Sequence, residues 1–544
     1  MKKIFYIISI FIVVQLSAQK TLTTEDWRND LNFLQHKIHK DYTSLFVKTT
    51  KTDFDTKIKK LHQDIPNLQE HEIIVRMTEI IASFEYGHTG IYFGLNPMKF
   101  HSFPFNLYEY NDGIFIEGVS KVYEKALGSK VLKINNIDIS EALEKVKSVV
   151  NSENSQYFKA YGINYLTIAE VLHAKRITST LQKTIELTLE KDGKVFQMEF
   201  NVLPKGQSVS KKYSYIQQNE NWLTARNQNS TPLYLKHLDK VYFQEYLPKH
   251  KAIYVRHSKI SDDKSVNTEN FYRGVFDFIE HNEVEKLIID LRLNGGGNNY
   301  LNKPIIKEII RSNAINKVGN LYVIIGRRTF SACQNLVNEL DNYTNVIFVG
   351  EPTAENVNFW GDARPEVLPN SKIPVYLSFA WWQDKPAWEN AEWIAPQIPI
   401  TMSFKEYITN QDPVLQAALT FNAENFIHKP MDYIRSLYDT NQLEKLATEI
   451  PKMIQDPKYS FFDFKSELIK SGNQVSNYNP QAAIQIFSFV THLFPNSIIA
   501  LKGLGENYIK IGSNKEGKQI LEKVIAMDKN GEIAKQAKKL LNNK

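Results

Sequence analysis

The sequence has a single cysteine, Cys333, among its 544 residues. One thiol cannot close an internal disulfide, so the fold has to be held by buried apolar cores. A structural zinc site built from several cysteines is excluded for the same reason. Cys333 lies within an apolar helical pattern, which favours a small buried side chain over a catalytic thiol that would need its own base.

An excess of one charge is also missing from most of the chain. The net charge is +6, and residues 501–544 hold ten lysines against five acidic residues, so the rest is almost neutral. This balance argues against a nucleic-acid-binding protein. The chain contains neither the G-x-x-x-x-G-K-[ST] nor the G-x-G-x-x-G pattern that holds phosphates. We therefore expect no nucleotide, metal or other cofactor.

Long apolar runs are absent except at the N-terminus, which reads MKKIFYIISIFIVVQLSAQK. Two lysines precede an apolar stretch at residues 4–14, and small residues follow it, as in a signal peptide. The stretch is short for a membrane span of ~20 residues. We predict a signal peptide at residues 1–19 and export to the periplasm or the extracellular space, without stable membrane insertion after cleavage. An uncleaved anchor is the alternative.

The remaining pattern predicts an α/β protein with five further parts. Apolar residues at helical spacing predict a helical segment at 20–102, and alternating patterns with Asp-Gly turn signals at 112–113 and 192–193 predict a β-rich domain at 103–203. A polar stretch at 204–230 is typical of a linker. Strands alternate with helices at 231–423, which indicates a mostly parallel sheet covered on both faces. Residues 424–544 are helical throughout.

Two of these parts resemble known modules. In the β-rich domain, the order of a strand, a short helix ending at Gly128, an I-N-x-I-D strand and a helix resembles a PDZ domain, which would bind an extended peptide at a sheet edge. A spacer without a ligand is the alternative. In the C-terminal region, the landmarks Pro495, Gly505, Tyr508 and Gly512 resemble tetratricopeptide repeats, with fewer than the ~three repeats of a free-standing array. These helices would provide a surface for a protein partner or only a stabilising cap.

The stretch VIIGRRTFSACQNLVNEL predicts a buried strand at 321–325, a polar turn and a helix from about Ala332. Ser331 stands at the start of that helix. It is either a nucleophile exposed by the turn, with free N–H groups nearby for an oxyanion, or a helix N-cap. Ser331 and Gln334 fit the S-x-x-Q capping box.

A glycine turn follows another buried strand in KLIIDLRLNGGGNNY. Glycines permit unusual dihedral angles and a close backbone approach, so their N–H groups can point into a site. Because ligands bind at the carboxyl ends of parallel strands, this turn and Ser331 are expected at one edge of the sheet. An oxyanion hole needs two converging donors, and the N–H groups of Gly296, or a neighbouring glycine, and Ala332 are the candidates.

Six ordered motifs resemble the carboxyl-terminal processing (tail-specific) serine peptidase family. They are L-I-I-D-L-R-x-N-G-G-G, R-T-F-S-A, V-G-E-P-T, L-P-N-S, W-I-A-P and D-P-V-L-Q-A-A-L. The resemblance covers residues 21–422 and implies a ClpP/crotonase-like α/β core with the serine of the T-x-S-A motif, Ser331, as nucleophile.

The same resemblance points to the tricorn-core-like branch for the general base. Residues 346–361 contain no lysine for a Ser–Lys dyad, and the first lysine beyond them is Lys372. That branch uses a histidine in an E-x-G-H-T-like motif, here His88, and an acid near W-I-A-P. We expect Glu389 to orient His88, with Glu392 behind it. Gly87 stands where the branch has a serine.

The sequence therefore predicts an exported serine endopeptidase that cleaves peptides or unfolded proteins through an acyl-enzyme on Ser331. Two alternatives remain. The chain is a catalytically inactive member that binds peptides or apolar ligands, or it is an interaction scaffold built on the PDZ-like and repeat-like parts.

Overall fold

The computed structural model describes residues 21–95, 97, 99–424 and 426–542. The signal peptide predicted at residues 1–19 lies outside the described residues. None of the helices within the described ranges combines the length and the apolar character needed to cross a bilayer. The architecture mixes helices with several sheets, so the α/β class predicted from the sequence is confirmed.

Three amphipathic helices open the described chain: α1 (Thr24–Asp41), α2 (Lys51–Asp64) and α3 (Glu70–Ala82). A capping box between Thr23 and Asp26 begins α1 by satisfying free N–H groups of its first turn. Helix α3 is buried over most of its length. The loop that follows it, residues 83–92, carries His88.

The next region is built on an antiparallel sheet. Its elements are β1 (Phe105–Tyr110), β2 (Gly113–Ser120), β3 (Lys130–Ile134), β4 (Ile137–Asp138), α4 (Ile139–Lys147), α5 (Ser155–Tyr161), α6 (Ala169–Ala174), β5 (Thr184–Lys191) and β6 (Lys194–Asn201). The strand order is β1-β2-β3-β5-β6. One hydrophobic core joins side chains of α1–α3 to this sheet. The helical and β-rich parts are therefore packed together as one body.

Residues 204–230, predicted as a linker, are folded against this sheet. They form β7 (Lys211–Lys212), β8 (Tyr215–Ile216) and β9 (Trp222–Thr224). Strand β9 pairs antiparallel with β2, and Tyr215 and Ile216 are buried. The linker prediction is wrong because the aromatic and apolar residues within this polar stretch are buried against neighbouring strands.

The second sheet has the order β10-β11-β12-β13-β14-β17 and is parallel from β11 onward. Its region comprises β10 (Tyr242–Leu247), β11 (Ala252–His257), α7 (Thr268–His281), β12 (Lys286–Asp290), α8 (Asn302–Arg311), β13 (Leu321–Ile325), α9 (Ala332–Tyr343), β14 (Ile347–Gly350), β15 (Asn358–Val367), β16 (Pro374–Gln383) and β17 (Ile398–Pro399). Strands β12 and β13 are apolar runs buried on both faces, as expected for parallel strands. The carboxyl ends of β12, β13 and β14 place three loops at one edge of the sheet.

The β15–β16 hairpin connects the two bodies. Its far end contributes Val375 and Leu377 to the core of the N-terminal body. The backbones of Gly90 and Tyr376 exchange two hydrogen bonds of 2.9 and 3.0 Å. The hairpin therefore holds the His88 loop over the edge of the parallel sheet.

The last described part of the chain is helical. Its helices are α10 (Phe404–Ile408), α11 (Pro413–Thr420), α12 (Pro430–Asp439), α13 (Leu443–Gln455), α14 (Phe464–Ser476), α15 (Pro480–Leu493), α16 (Ile498–Lys510), α17 (Asn514–Met527) and α18 (Glu532–Asn542). From α12 onward they have apolar cores of their own. Lys470 on α14 forms an ion pair with Glu389 of the second body at 2.9 Å.

Candidate active site

Ser331 lies in a sharp turn between β13 and α9. Its φ of +57° and ψ of −132° are unusual for a residue with a side chain, and such strain is concentrated at functional sites. The Ser331 hydroxyl makes no capping hydrogen bond to α9. The amide of Gln334 donates to Asn338 instead. The capping-box interpretation is therefore wrong, and the serine hydroxyl is left free to face the His88 loop.

His88 and Ser331, which are 243 residues apart in sequence, meet at this turn. Nε2 of His88 lies 3.0 Å from Oγ of Ser331, within hydrogen-bond reach. The imidazole is stacked on the Phe330 ring at 4.5 Å between centroids, and the Phe359 ring lies nearly parallel to it at 6.1 Å. Burial lowers the pKa of His88 below its usual 6.5. The imidazole is therefore neutral at pH 7 and available to accept a proton.

The acid beside His88 is Glu355, in the loop after β14. Its Oε1 lies 3.1 Å from Nδ1 of His88, although the two groups lack the alignment of a hydrogen bond. The other carboxyl oxygen accepts a short hydrogen bond from the Ser331 backbone N–H. Glu355 thus contacts both the histidine and the backbone of the serine. Its carboxyl is fully buried, and burial raises its pKa well above the usual value.

Glu389 does not occupy the position expected for it. Both of its carboxyl oxygens contact Nζ of Lys470, at 2.9 and 3.1 Å, and one also accepts the N–H of Ala391. The expectation that Glu389 orients His88 is wrong. The carboxyl that lies beside the imidazole belongs to Glu355. Among the described contacts, Glu392 takes part through its backbone carbonyl, which accepts a hydrogen bond from Asn154. The sequence did not point to Glu355, because the family resemblance implies a lysine in the stretch after V-G and no pattern there marks a glutamate as the partner of His88.

A second buried carboxyl, Glu153, fixes the loops that carry His88 and Glu355. It accepts the N–H of Gly87 at 2.9 Å and the N–H of Asn356 at 3.1 Å. Burial, and after it the charge of Glu355, raises the pKa of Glu153 to about 8. No sequence motif singled out this residue.

The predicted oxyanion donors, Gly296 and Ala332, both lie next to Ser331. Ala332 opens α9, where an N–H has no partner within the helix. A Cβ added at Gly296 would lie 2.6 Å from Cβ of Ser331 and 2.9 Å from N of Ala332, so the glycine turn touches the site. However, the N–H of Gly296 donates to Oδ1 of Asn294 at 2.9 Å. Among the described residues, the N–H groups of Gly295 and Gly297 have no such partner, so a neighbouring glycine is the better second donor.

The remaining candidates are placed away from the chemistry or explained by packing. A Cβ at Gly87 would lie 2.7 Å from the Phe330 ring, so a serine does not fit there without moving that ring. Lys372 donates to the carbonyl of Pro369 in an exposed turn. Cys333 is buried, and burial raises the pKa of its thiol well above its usual value, which disfavours a thiolate. Within the described ranges, no cluster of three acidic, histidine or cysteine side chains suited to a metal ion occurs.

Comparison with solved structures gives distant similarities. Mature CPAF has a TM-score of 0.47 and 12% identity over 73% of this chain and 97% of that one. The photosystem II D1 C-terminal processing protease has a TM-score of 0.34 and 10% identity over 71% and 98%. The tricorn protease has a TM-score of 0.35 and 11% identity over 73% of this chain and 36% of that one. Proteases are thus among the structural neighbours, but similarities at this level do not assign a function.

No family model matches the sequence, and no curated protein matches it. The functional conclusion therefore depends on the geometry of the site.

Proposed function

We propose that this protein is a serine-type peptidase with Ser331 as nucleophile, His88 as general acid and base, and Glu355 as the acid that orients the histidine. The observation that carries the proposal is the 3.0 Å contact between Ser331 Oγ and His88 Nε2 at a strained turn. A neutral histidine in contact with a serine hydroxyl, with a third group on the far side of the ring, is the arrangement of nucleophilic hydrolases.

In the proposed reaction, Ser331 Oγ attacks the peptide carbonyl carbon while its proton moves to Nε2 of His88. The oxygen of the tetrahedral intermediate accepts hydrogen bonds from Ala332 and from an N–H of the glycine turn. The intermediate collapses as His88 gives its proton to the leaving amine, which leaves an ester on Ser331. Water, deprotonated by His88, then hydrolyses that ester, releases the acid product and restores the serine.

The decisive experiment is labelling with a fluorophosphonate, which reacts with an activated serine. We expect the native protein to be labelled, and Ser331→Ala and His88→Ala to lose labelling. His250→Ala is the matched control, because His250 lies in an exposed turn. Labelling that survives both site substitutions would reject the assignment. Absence of labelling in a folded native protein would favour the non-catalytic peptide binder.

Endopeptidase activity is part of the proposal. An internally quenched peptide with both ends blocked should be cleaved if the enzyme hydrolyses interior bonds. Cleavage restricted to peptides with a free end would instead indicate an exopeptidase.

Export is proposed from residues 1–19 alone. Expression of the full chain should give a mature N-terminus near residue 19 in the exported fraction. A full-length N-terminus in the cytoplasmic fraction would contradict export.

A further inference from the structure

A cavity of about 250 Å³ lies next to helix α5. Five aromatic rings line it, those of Tyr92, Phe93, Tyr157, Tyr161 and Tyr165. The other residues around it are uncharged as well, and the cavity is open to solvent on one side. It is therefore suited to a group that enters from the solvent and carries no charge.

The size and the chemistry of the cavity favour an aromatic ring. A dry apolar cavity of ~150 Å³ can hold benzene, so this one has room for a ring and the methylene that carries it. The rings of Phe93 and Tyr165 meet edge to face with 5.5 Å between centroids, and a further ring can pack on them in the same way. A carboxylate or an ammonium would lose its hydration there without gaining an ionic partner. The cavity therefore selects uncharged rings against charged groups.

The cavity lies close to the catalytic pair. The Tyr157 ring is 5.4 Å from the Phe330 ring, and the Phe330 ring is 4.5 Å from the imidazole of His88. Phe330 also directly precedes Ser331. Three residues of extended peptide span ~10 Å. A peptide whose carbonyl lies at Ser331 can therefore place a side chain in this cavity from a position only a few residues from the bond that is cut.

Three of the side chains that line the cavity also hold the His88 loop. The carbonyl of Gly87, the residue before His88, accepts three hydrogen bonds. Its donors are the Tyr92 hydroxyl at 2.9 Å, the Asn151 amide at 2.7 Å and the Tyr157 hydroxyl at 3.1 Å. A carbonyl oxygen has two lone pairs, so three donors compete for it. The groups that a ligand in the cavity would touch are thus the groups that fix the peptide bond before His88.

We propose that this cavity is a subsite for an uncharged aromatic side chain of the peptide substrate, and that filling it holds His88 in its catalytic position. A ring packed against Tyr92 and Tyr157 restricts their motion, which keeps their hydroxyls on the Gly87 carbonyl. The effect on cleavage rests on the proposed peptidase function, whereas binding of the ring does not require catalysis.

The binding test uses Ser331→Ala, which cannot form the acyl-enzyme. Octapeptides of Gly and Ser with both ends blocked carry a single Phe, Ala, Glu or Lys, which is scanned through every position, and isothermal titration calorimetry gives Kd. We expect Phe at one position to bind at least about tenfold more tightly than Ala at that position, because its ring is buried. Glu and Lys should bind no better than Ala.

Two substitutions locate the effect at the cavity. Gly94 lines the cavity, and a Cβ added there would meet open space, so Gly94→Trp places a ring at the cavity without a backbone clash. Tyr165→Ala removes one aromatic wall. Each change, added to Ser331→Ala, should reduce the preference for Phe over Ala to about twofold or less.

Gly274→Trp is the matched control. A Cβ at Gly274, on helix α7, also meets open space, and this variant should keep the full preference. Thermal unfolding of each variant separates lost binding from lost folding. A preference for Phe that survives both Gly94→Trp and Tyr165→Ala would place the ring elsewhere and overturn the subsite.

The kinetic test compares the native protein with Tyr157→Phe, which keeps the ring but removes a hydroxyl that donates to Gly87. Cleavage of the same peptides is followed by chromatography. In the native enzyme, Phe at the selected position should lower KM and raise kcat relative to Ala. In Tyr157→Phe the gain in KM should remain, and the gain in kcat should shrink. Equal kcat for the Phe and Ala peptides in the native enzyme would overturn the link to His88.

The outcomes distinguish this proposal from the proposed function. Equal Kd for the Phe and Ala peptides at every position would overturn the subsite, even if fluorophosphonate labels the native enzyme. A preference for Phe that Gly94→Trp and Tyr165→Ala abolish, in a protein that fluorophosphonate does not label, would support the binding site and reject the peptidase. N-acetylphenylalaninamide tests a free aromatic compound as the occupant. If it binds as tightly as the best Phe peptide, the cavity serves a small molecule and the substrate subsite is overturned.

Discussion

Two causes raise the pKa of Glu153 to about 8: burial, which is the larger, and the neighbouring carboxylate of Glu355. Glu153 also accepts hydrogen bonds from the residue before His88 and the residue after Glu355. One protonated carboxyl thus holds the base loop and the acid loop at a fixed separation. Ionisation of Glu153 therefore affects how the two loops are held, in addition to the effect of pH on the protonation of His88.

The contribution of Glu153 to stability should fall as pH rises. Its pKa in the folded protein, about 8, exceeds the usual 4.5, so the folded state binds more protons between these values than the unfolded state. The stabilisation is complete below about pH 4.5 and is lost through pH 8, with a slope of at most ~1.4 kcal/mol per pH unit. Urea unfolding at pH 5 to 9 measures this slope. Glu153→Gln should flatten it, and an unchanged slope in that variant would show that other groups are responsible.

Glu355→Gln should lower the rate of peptide cleavage by about 10²- to 10⁴-fold, because His88 loses the carboxyl that faces its Nδ1 and orients the ring. Glu389→Gln provides the control. Its carboxyl is paired with Lys470, and we expect a change within about twofold. The measurement is kcat and KM on a quenched peptide for both variants. A larger loss from Glu389→Gln than from Glu355→Gln would restore the sequence-based choice of acid.

The rate of fluorophosphonate labelling should decline only below pH 6.5. His88 must be neutral to accept the serine proton, and burial lowers its pKa from 6.5. Protonation therefore inactivates the base at a lower pH than for an exposed histidine. Second-order labelling rates between pH 4.5 and 8 give the midpoint of the decline. A midpoint at or above 6.5 would show that the acidic neighbours outweigh burial.

Gly296→Ala should reduce labelling and cleavage by at least about 100-fold, the effect of disturbing an oxyanion hole. A Cβ there would meet the Phe330 carbonyl at 2.8 Å, and the glycine has φ of +98°. Gly193→Ala is the control, because Gly193 also has a positive φ, +73°, but open space around it. It should cost ~1–2 kcal/mol of stability and leave activity unchanged. Similar activity losses in both variants would indicate a general backbone effect.

The sequence predicted much of this arrangement, but its limits have physical causes. Buried apolar runs identified β12 and β13, and the motifs around Ser331 and His88 identified two side chains that the structure brings to 3.0 Å. Glu355 could not be selected by spacing alone, because one buried glutamate in a loop has the same local pattern as an exposed one. The prediction that Ser331 caps the helix was wrong because its backbone N–H donates to Glu355. That contact depends on the tertiary structure and sets the backbone conformation of the serine.

The polar stretch at 204–230 shows the same limit. Its composition indicates a linker, and only the pairing of β9 with β2, residues about a hundred positions earlier, makes it part of a sheet.

The separation of 243 residues between His88 and Ser331 has a consequence for biosynthesis. The histidine is synthesised early, the serine only after four of the six strands of the second sheet, and Glu355 after a fifth. A nascent or truncated chain that stops before residue 331 has a base but no nucleophile, and a fragment that starts after residue 88 has the reverse. If the protein cleaves peptides as proposed, neither incomplete product can cleave the ribosome, the export machinery or its own unfolded chain. The active site forms only when the His88 loop packs against the second sheet.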